Sequence, residues 1–533
     1  MKQLFGLISL GLLLFSCGSS NKSAEVDKEK PVIESRAPLP DPSIYANTIT
    51  SEELRDMLMV YASDEFKGRD AGTPSEALAT DYLKNYYKDE GISSPKSTSV
   101  SDYLQKVPIK ELRFPDATIS VDGQSFKLIE DLTVSQGNTS ETFSASEIVY
   151  VGYGIKAENY SDYKNLNVKG KVVLAKAGEP KDANGNYITT GTSEGTKWTN
   201  GRQARRTKEE AAKEMGAKAF ILFEPESFET LASFYKRFQN SDRRSVGLVD
   251  ENDKFLSFVI GDNLAKALYN EIGESADPKV LSKSIKIDLK RENAELKSHN
   301  VVAYIPGAEL PNEYLIISAH LDHVGVQDGE VYNGADDDGS GTISVLEIAE
   351  AFQKAVENGH RPKRSVVFLH VTAEEKGLLG SRYYADSDPV FPLDQTIANL
   401  NIDMIGRVDP KHENDRNYLY IIGSDRLSSD LHQISEEVNN KYTKINFDYT
   451  YNDPKDPNRF YNRSDHYNFA KHNIPIIFYF NGTHADYHRP GDTPDKIEYD
   501  LMENRARLVF YTAWELANGV SRPVVDKAEV TKP

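Results

Sequence analysis

The chain has 533 residues, too many for one ordinary domain and enough for two or three. Its formal net charge of −19 comes with no offsetting basic cluster, which excludes nucleic acid and anionic lipid surfaces as natural partners because both are polyanions. A single cysteine, Cys17, excludes an internal disulfide and a thiolate metal site, so any metal has to be held by His, Asp and Glu.

In chain order, the N-terminus reads as an export signal over residues 1–16: Lys2, then an apolar run from Leu4 to Phe15. That run is shorter than the roughly 20 residues a membrane-crossing helix needs. Leu14-Phe15-Ser16-Cys17 resembles a bacterial lipobox, which implies cleavage before Cys17 and acylation of its thiol. Residues 17–48, polar and proline-bearing, then form a tether from a membrane anchor, on the periplasmic side or the cell surface. Helices are predicted over 50–62, with Thr50 and Glu53 as a capping box, and over 74–88, with Thr73 as cap and Pro74 in the first turn. Between them lies the glycine-rich segment Glu65-Phe-Lys-Gly-Arg-Asp-Ala-Gly-Thr73, to which the sequence assigns no chemistry.

From about residue 146 the texture changes to short strand signals such as IVYVGYGI and KGKVVLAKAG, with a helix over 205–215. This fits an inserted β-rich domain over 140–292 that carries no cluster of ligand spacing. From residue 300 strands and helices alternate: strands at 314–319, 365–372, 397–404, 418–422 and 474–480, with helices at 340–356, 377–385, 429–442 and 501–518. The fold class is therefore α/β, a mostly parallel sheet sandwiched by helices, built from 49–135 and 295–522, with 523–533 as a C-terminal tail.

In such a fold ligands gather just past the carboxyl ends of strands. His320 and Asp322 follow the first of these strands, Glu374 and Glu375 the second, Asp403 closes the third, and His484, Asp486 and His488 follow the last. The run Asp336-Asp337-Asp338 adds three carboxylates beside Gly-Ser-Gly, and buried carboxylates without a cation are costly. Imidazoles and carboxylates without thiols suit Zn²⁺, with Co²⁺ or Mn²⁺ as substitutes. The carboxylates outnumber what one catalytic zinc needs, so two metals sharing one of them, with a further carboxylate as general base, is the expected arrangement.

Five segments carry a family resemblance: Ala319-His320-Leu321-Asp322, the Gly334 to Gly341 loop GADDDGSG, Ala373-Glu374-Glu375-Lys376-Gly377, Asn401-Ile402-Asp403-Met404, and Tyr487-His488-Arg489-Pro490-Gly491-Asp492. In this order they resemble the zinc aminopeptidases of peptidase family M28, and the insert resembles a protease-associated (PA) domain. The resemblance implies two Zn²⁺ ions on His320, Asp337, Glu375, Asp403 and His488, with Asp337 bridging and a cis peptide after it. It further implies Glu374 as general base, and Asp322 and Asp492 as partners orienting His320 and His488. His323 is left outside the ligand set, and Ser464-Asp465-His466, Tyr461 and Arg463 are given to the pocket. The implied activity is removal of N-terminal residues from peptides. Alternatives on the same scaffold are a carboxypeptidase or dipeptidase, a one-zinc glutaminyl cyclase-like enzyme, and a receptor-like protein without catalysis.

Overall fold

The computed structural model describes residues 39–240, 245–250 and 252–527. The signal segment, Cys17 and most of the tether lie outside these residues, as does the end of the C-terminal tail. Among the described residues no helix is long and apolar enough to cross a membrane.

A nine-stranded sheet organises the molecule. In chain order its strands are β1 (Val100–Ser101), β2 (Leu104–Lys106), β3 (His299–Ile305), β4 (Leu310–His320), β5 (Arg364–Val371), β6 (Thr396–Ile402), β7 (Tyr418–Ile422), β8 (Asn446–Asp448) and β9 (Ile476–Phe480). In space they run β1-β2-β3-β5-β4-β6-β9-β7-β8. The central strands β5, β4, β6 and β9 are parallel, whereas β3 joins β5 and β7 joins β9 antiparallel. Every residue of β5 is buried, as a strand covered on both faces must be. Full burial of each of its apolar side chains contributes about 1.5–3 kcal/mol.

Two cores lie on opposite faces of the sheet. Leu315, Ile317, Val366 and Phe368 point into one, packed by α1 (Ser51–Tyr61), α2 (Pro74–Asp89), α3 (Gly341–Glu357) and the long α6 (Tyr499–Asn518). Ile316, Val367 and Leu369 point into the other, with Tyr384 of α4 (Leu379–Asp386) and Phe469. On the α6 edge, α5 (Ser429–Val438) adds Leu431 and Val438 to the first core. The predicted caps form: Thr50 Oγ1 accepts from the Glu53 N–H at 3.2 Å, and Thr73 Oγ1 from that of Glu76 at 3.5 Å.

The insert differs from expectation in extent and in make-up. Asp116–Val121 pairs with Ile285–Lys290, and Leu132–Gln136 pairs with Leu256–Ile260. Residues from 116 onward thus belong to the insert's sheets, earlier than the expected boundary at 140. Its larger sheet holds four parallel strands, Ile148–Tyr150, Val172–Lys176, Ala219–Phe223 and Leu256–Ile260. The helix Gly201–Glu214 precedes Ala219–Phe223 in the chain, so this unit is more α/β than β-rich.

Candidate metal centre

The parallel strands end nearly level, with Ser318 opposite both Leu369 and Asn401. His320 is the last residue of β4, Glu374 and Glu375 follow β5, Asp403 follows β6, and the turn carrying His488 follows β9. The Asp337 carboxylate lies between two groups of side chains. Its Oδ1 is 3.2 Å from His320 Nε2, which is itself 3.6 Å from Asp403 Oδ1. Its Oδ2 is 3.0 Å from His488 Nε2, which is 3.2 Å from Glu375 Oε2. The structure thus brings together the five residues expected as ligands, with Asp337 in both groups, and the Asp337–Asp338 peptide is cis.

Whether these residues suit a cation is tested by their hydrogen bonding. His320 Nε2, Asp337 Oδ2 and Glu375 Oε1 are buried and have no hydrogen-bond partner. Unpaired buried polar atoms cost about 1–3 kcal/mol each, more when charged, and this many in one place is a site built for something positive. The tautomer agrees: His320 Nδ1 lies 3.0 Å from the Asp322 carbonyl oxygen, which can only accept. Nδ1 therefore carries the proton, and Nε2 presents a lone pair toward Asp337 and Asp403. Burial alone would lower the His488 imidazole, but the Asp337 and Glu375 carboxylates override it and hold it up at about 10. Without a cation the site retains protons, which metal binding would displace. The donor set fits a divalent metal.

Neighbouring carboxylates are otherwise engaged. Asp338 lies close to His320 and Asp403, yet its oxygens accept from the backbone N–H groups of His320, Gly341 and Met404 at 3.0–3.1 Å. Asp336 accepts from Ser340, from the Gly406 N–H and from Asn481, and His484 Nε2 stands 3.2 Å away. Asp486 pairs with Arg407 and Lys496. Two expected roles change. The Asp322 carboxylate accepts from the Glu374 N–H at 3.0 Å and stands 3.9 Å from His320, so the residue holds the imidazole through its backbone carbonyl. Asp492 accepts from the N–H groups of Asp336 and Asp337 at 3.1 Å and so frames the loop, not His488. In both cases a kinked loop has N–H groups no helix or strand satisfies, and the nearest carboxylate takes them.

Glu374, the residue before Glu375, is half-buried. Burial, with Glu375, Asp403 and Asp465 nearby, pushes its carboxyl well above the usual range against the pull of His320.

Residues 300–513 match the profile of Peptidase family M28. The chain is 27% identical over 309 residues to a probable leucine aminopeptidase 2 of Aspergillus oryzae, covering 54% of this chain and 58% of that one. Leupeptin-inactivating enzyme 1 of Streptomyces exfoliatus is 29% identical over 247 residues, covering 42% of this chain and 50% of its own. The chain thus spans about half the length of such curated relatives. Among solved structures, an aminopeptidase from Aneurinibacillus sp. strain AM-1 aligns over 92% of this chain and 99% of its own, at 20% identity and a TM-score of 0.46.

Two residues around the centre were not legible in sequence. Arg69 is fully buried and donates to the carbonyls of Leu321, Asn333 and Gly334, on both sides of the metal-side loops. His323, three residues past His320, lies inside the centre. The chance to notice Arg69 lay in its glycine-flanked turn, because Gly68 has φ +65 and a Cβ there would fall 2.2 Å from the Tyr332 carbonyl oxygen.

Proposed function

We propose that the protein is a two-zinc aminopeptidase that hydrolyses N-terminal residues from peptides. The observation that carries this reading is the single carboxylate, Asp337, set between the His320/Asp403 and Glu375/His488 groups with Glu374 beside them. The aminopeptidase names of the relatives support it. His320, Asp337 and Asp403 would hold one ion, and Asp337, Glu375 and His488 the other. When bound, such a pair supplies Lewis-acid polarisation of a scissile carbonyl and acidification of a water. Glu374 takes the proton of the attacking water as the new C–O bond forms. It returns that proton to the amine as the C–N bond breaks, leaving an amino acid and a shortened peptide. Asp322, bonded to the Glu374 N–H, fixes where that carboxylate stands.

The test is turnover of free-amine, N-blocked and C-blocked peptides by the metal-loaded protein. Glu374→Gln should keep both metals and lose about 10²–10⁴ in kcat, whereas Asp337→Ala should lose metal. Intact turnover in Glu374→Gln, or cleavage of N-blocked peptides, overturns the reading. We further propose that the insert is PA-like, and that Cys17 is acylated and anchors an exported chain. The lipobox-like Leu14-Phe15-Ser16-Cys17 supports the anchor, and membrane partition lost in Cys17→Ser would test it.

A further inference from the structure

His323 follows β4 by three residues and is fully buried. Neither of its ring nitrogens has a hydrogen-bond partner. Nδ1 lies 2.9 Å from Glu375 Oε1 and 3.8 Å from Asp337 Oδ2. Nδ1 and Glu375 Oε1 come this close without meeting the geometry of a hydrogen bond. An imidazole nitrogen and a carboxylate oxygen so placed can share one cation. His323, Asp337 and Glu375 are together close enough for one ion. The His488 ring meets that of His323 edge-on, with centroids 5.8 Å apart.

The backbone makes room for this ring. Gly334, at φ +60, opens the metal-side loop, and a Cβ there would fall 2.5 Å from His323 Cγ. Donor atoms bound to one zinc at about 2.0–2.2 Å are roughly 3–3.5 Å apart. His323 Nδ1 stands 2.9 Å from Glu375 Oε1 and 3.8 Å from Asp337 Oδ2, and His488 Nε2 stands 3.0 Å from Asp337 Oδ2 and 3.2 Å from the other Glu375 oxygen.

We infer that His323 is a fourth protein ligand of the second metal, beside Asp337, Glu375 and His488. The inference rests on the two-metal reading above. It makes the centre asymmetric: four protein donors close the second position, as in structural zinc sites, while His320, Asp337 and Asp403 leave the first open, as in catalytic ones. The second metal is then the tightly held one, and the first is the exchangeable one that faces substrate.

The experiment measures zinc bound per chain at buffered free Zn²⁺, together with the visible absorption of the Co²⁺-substituted protein, for wild type, His323→Leu and His323→Asn. Circular dichroism of the metal-free forms checks folding. Wild type should hold two zinc ions, and His323→Leu should bind one of them at least ~100-fold more weakly with a changed cobalt spectrum. His323→Asn, whose carbonyl oxygen can stand near the place of Nδ1, should fall between, which a purely structural role would not produce. It also serves as the test if the leucine variant does not fold. Two zinc ions at wild-type affinity with an unchanged cobalt spectrum in either folded variant overturn the ligand role alone. Fewer than two zinc ions in wild type overturn the two-metal centre, and this inference with it.

Discussion

Arg69 offers a test of how the centre is held in place before any metal arrives. Its guanidinium donates to Asn333 O at 2.7 Å, Gly334 O at 2.9 Å, Leu321 O at 3.0 Å and Tyr61 O at 3.3 Å, and stacks 4.6 Å above the Tyr61 ring. One side chain thus ties the segment after His320 to the start of the aspartate loop and to the end of α1. Arg69→Met removes three good charge-assisted bonds, about 1.5–3 kcal/mol each. Part is recovered because the parent must bury a cation, and Leu321 O and Gly334 O keep other donors, the Tyr61 hydroxyl and the Gly339 N–H. The net expectation is a loss of ~3–5 kcal/mol, a large share of an ordinary domain's stability. Arg69→Lys, with a compact ammonium that cannot span four carbonyls, should lose about half as much. The assay is calorimetric unfolding of the metal-free protein, followed by zinc titration of each variant at a temperature where it is folded. If Arg69→Met unfolds within about 1 kcal/mol of the parent and binds zinc unchanged, this bracing role is refuted.

The other expectations concern acid stability and the glycine at the loop. His370 and His466 are fully buried, and burial holds both near 3. Between about 6.5 and 3 the unfolded chain binds the proton that the native state refuses, so stability falls as pH drops through that window, by up to ~4–5 kcal/mol per residue. His370→Gln, which keeps a partner for the Tyr87 hydroxyl 2.7 Å away, should flatten the fall measured by thermal unfolding from pH 6.5 to 4, and an unchanged slope would count against it. Gly334→Ala forces a Cβ to within 2.4 Å of the Asp337 carbonyl oxygen at positive φ, so zinc affinity should drop at least ~10-fold. Wild-type affinity in a competition titration would show that the loop has slack.

Much of the large sheet and of the site at its strand ends is legible in sequence because its signals are local. The apolar runs that become β4, β5, β6 and β9 end in His320, Glu374, Asp403 and the His488 turn, and a parallel sheet aligns such ends without further information. Thr50 and Thr73 announce their helices through bonds that span three residues. The insert's first strand is not legible as such, because Asp116–Val121 finds its partner at Ile285–Lys290, far along the chain, and nothing in its alternation names that partner.

The division of labour among the carboxylates is the least legible feature, and it has a simple physical rule. Asp322, Asp336, Asp338 and Asp492 accept backbone N–H groups that loop geometry leaves unpaired. Asp337 Oδ2 and Glu375 Oε1 are buried with no hydrogen-bond partner among the described residues, and Asp403 Oδ1 stands 3.6 Å from His320 Nε2. A carboxylate occupied by N–H donors is already neutralised in place and stabilises the frame, while one without them is driven to seek a cation. Residue type and spacing mark all of these as acidic residues near strand ends. Only the path of the loops decides which of them become frame and which become ligands, and the same criterion, two buried ring nitrogens without partners, moves His323 from bystander to donor.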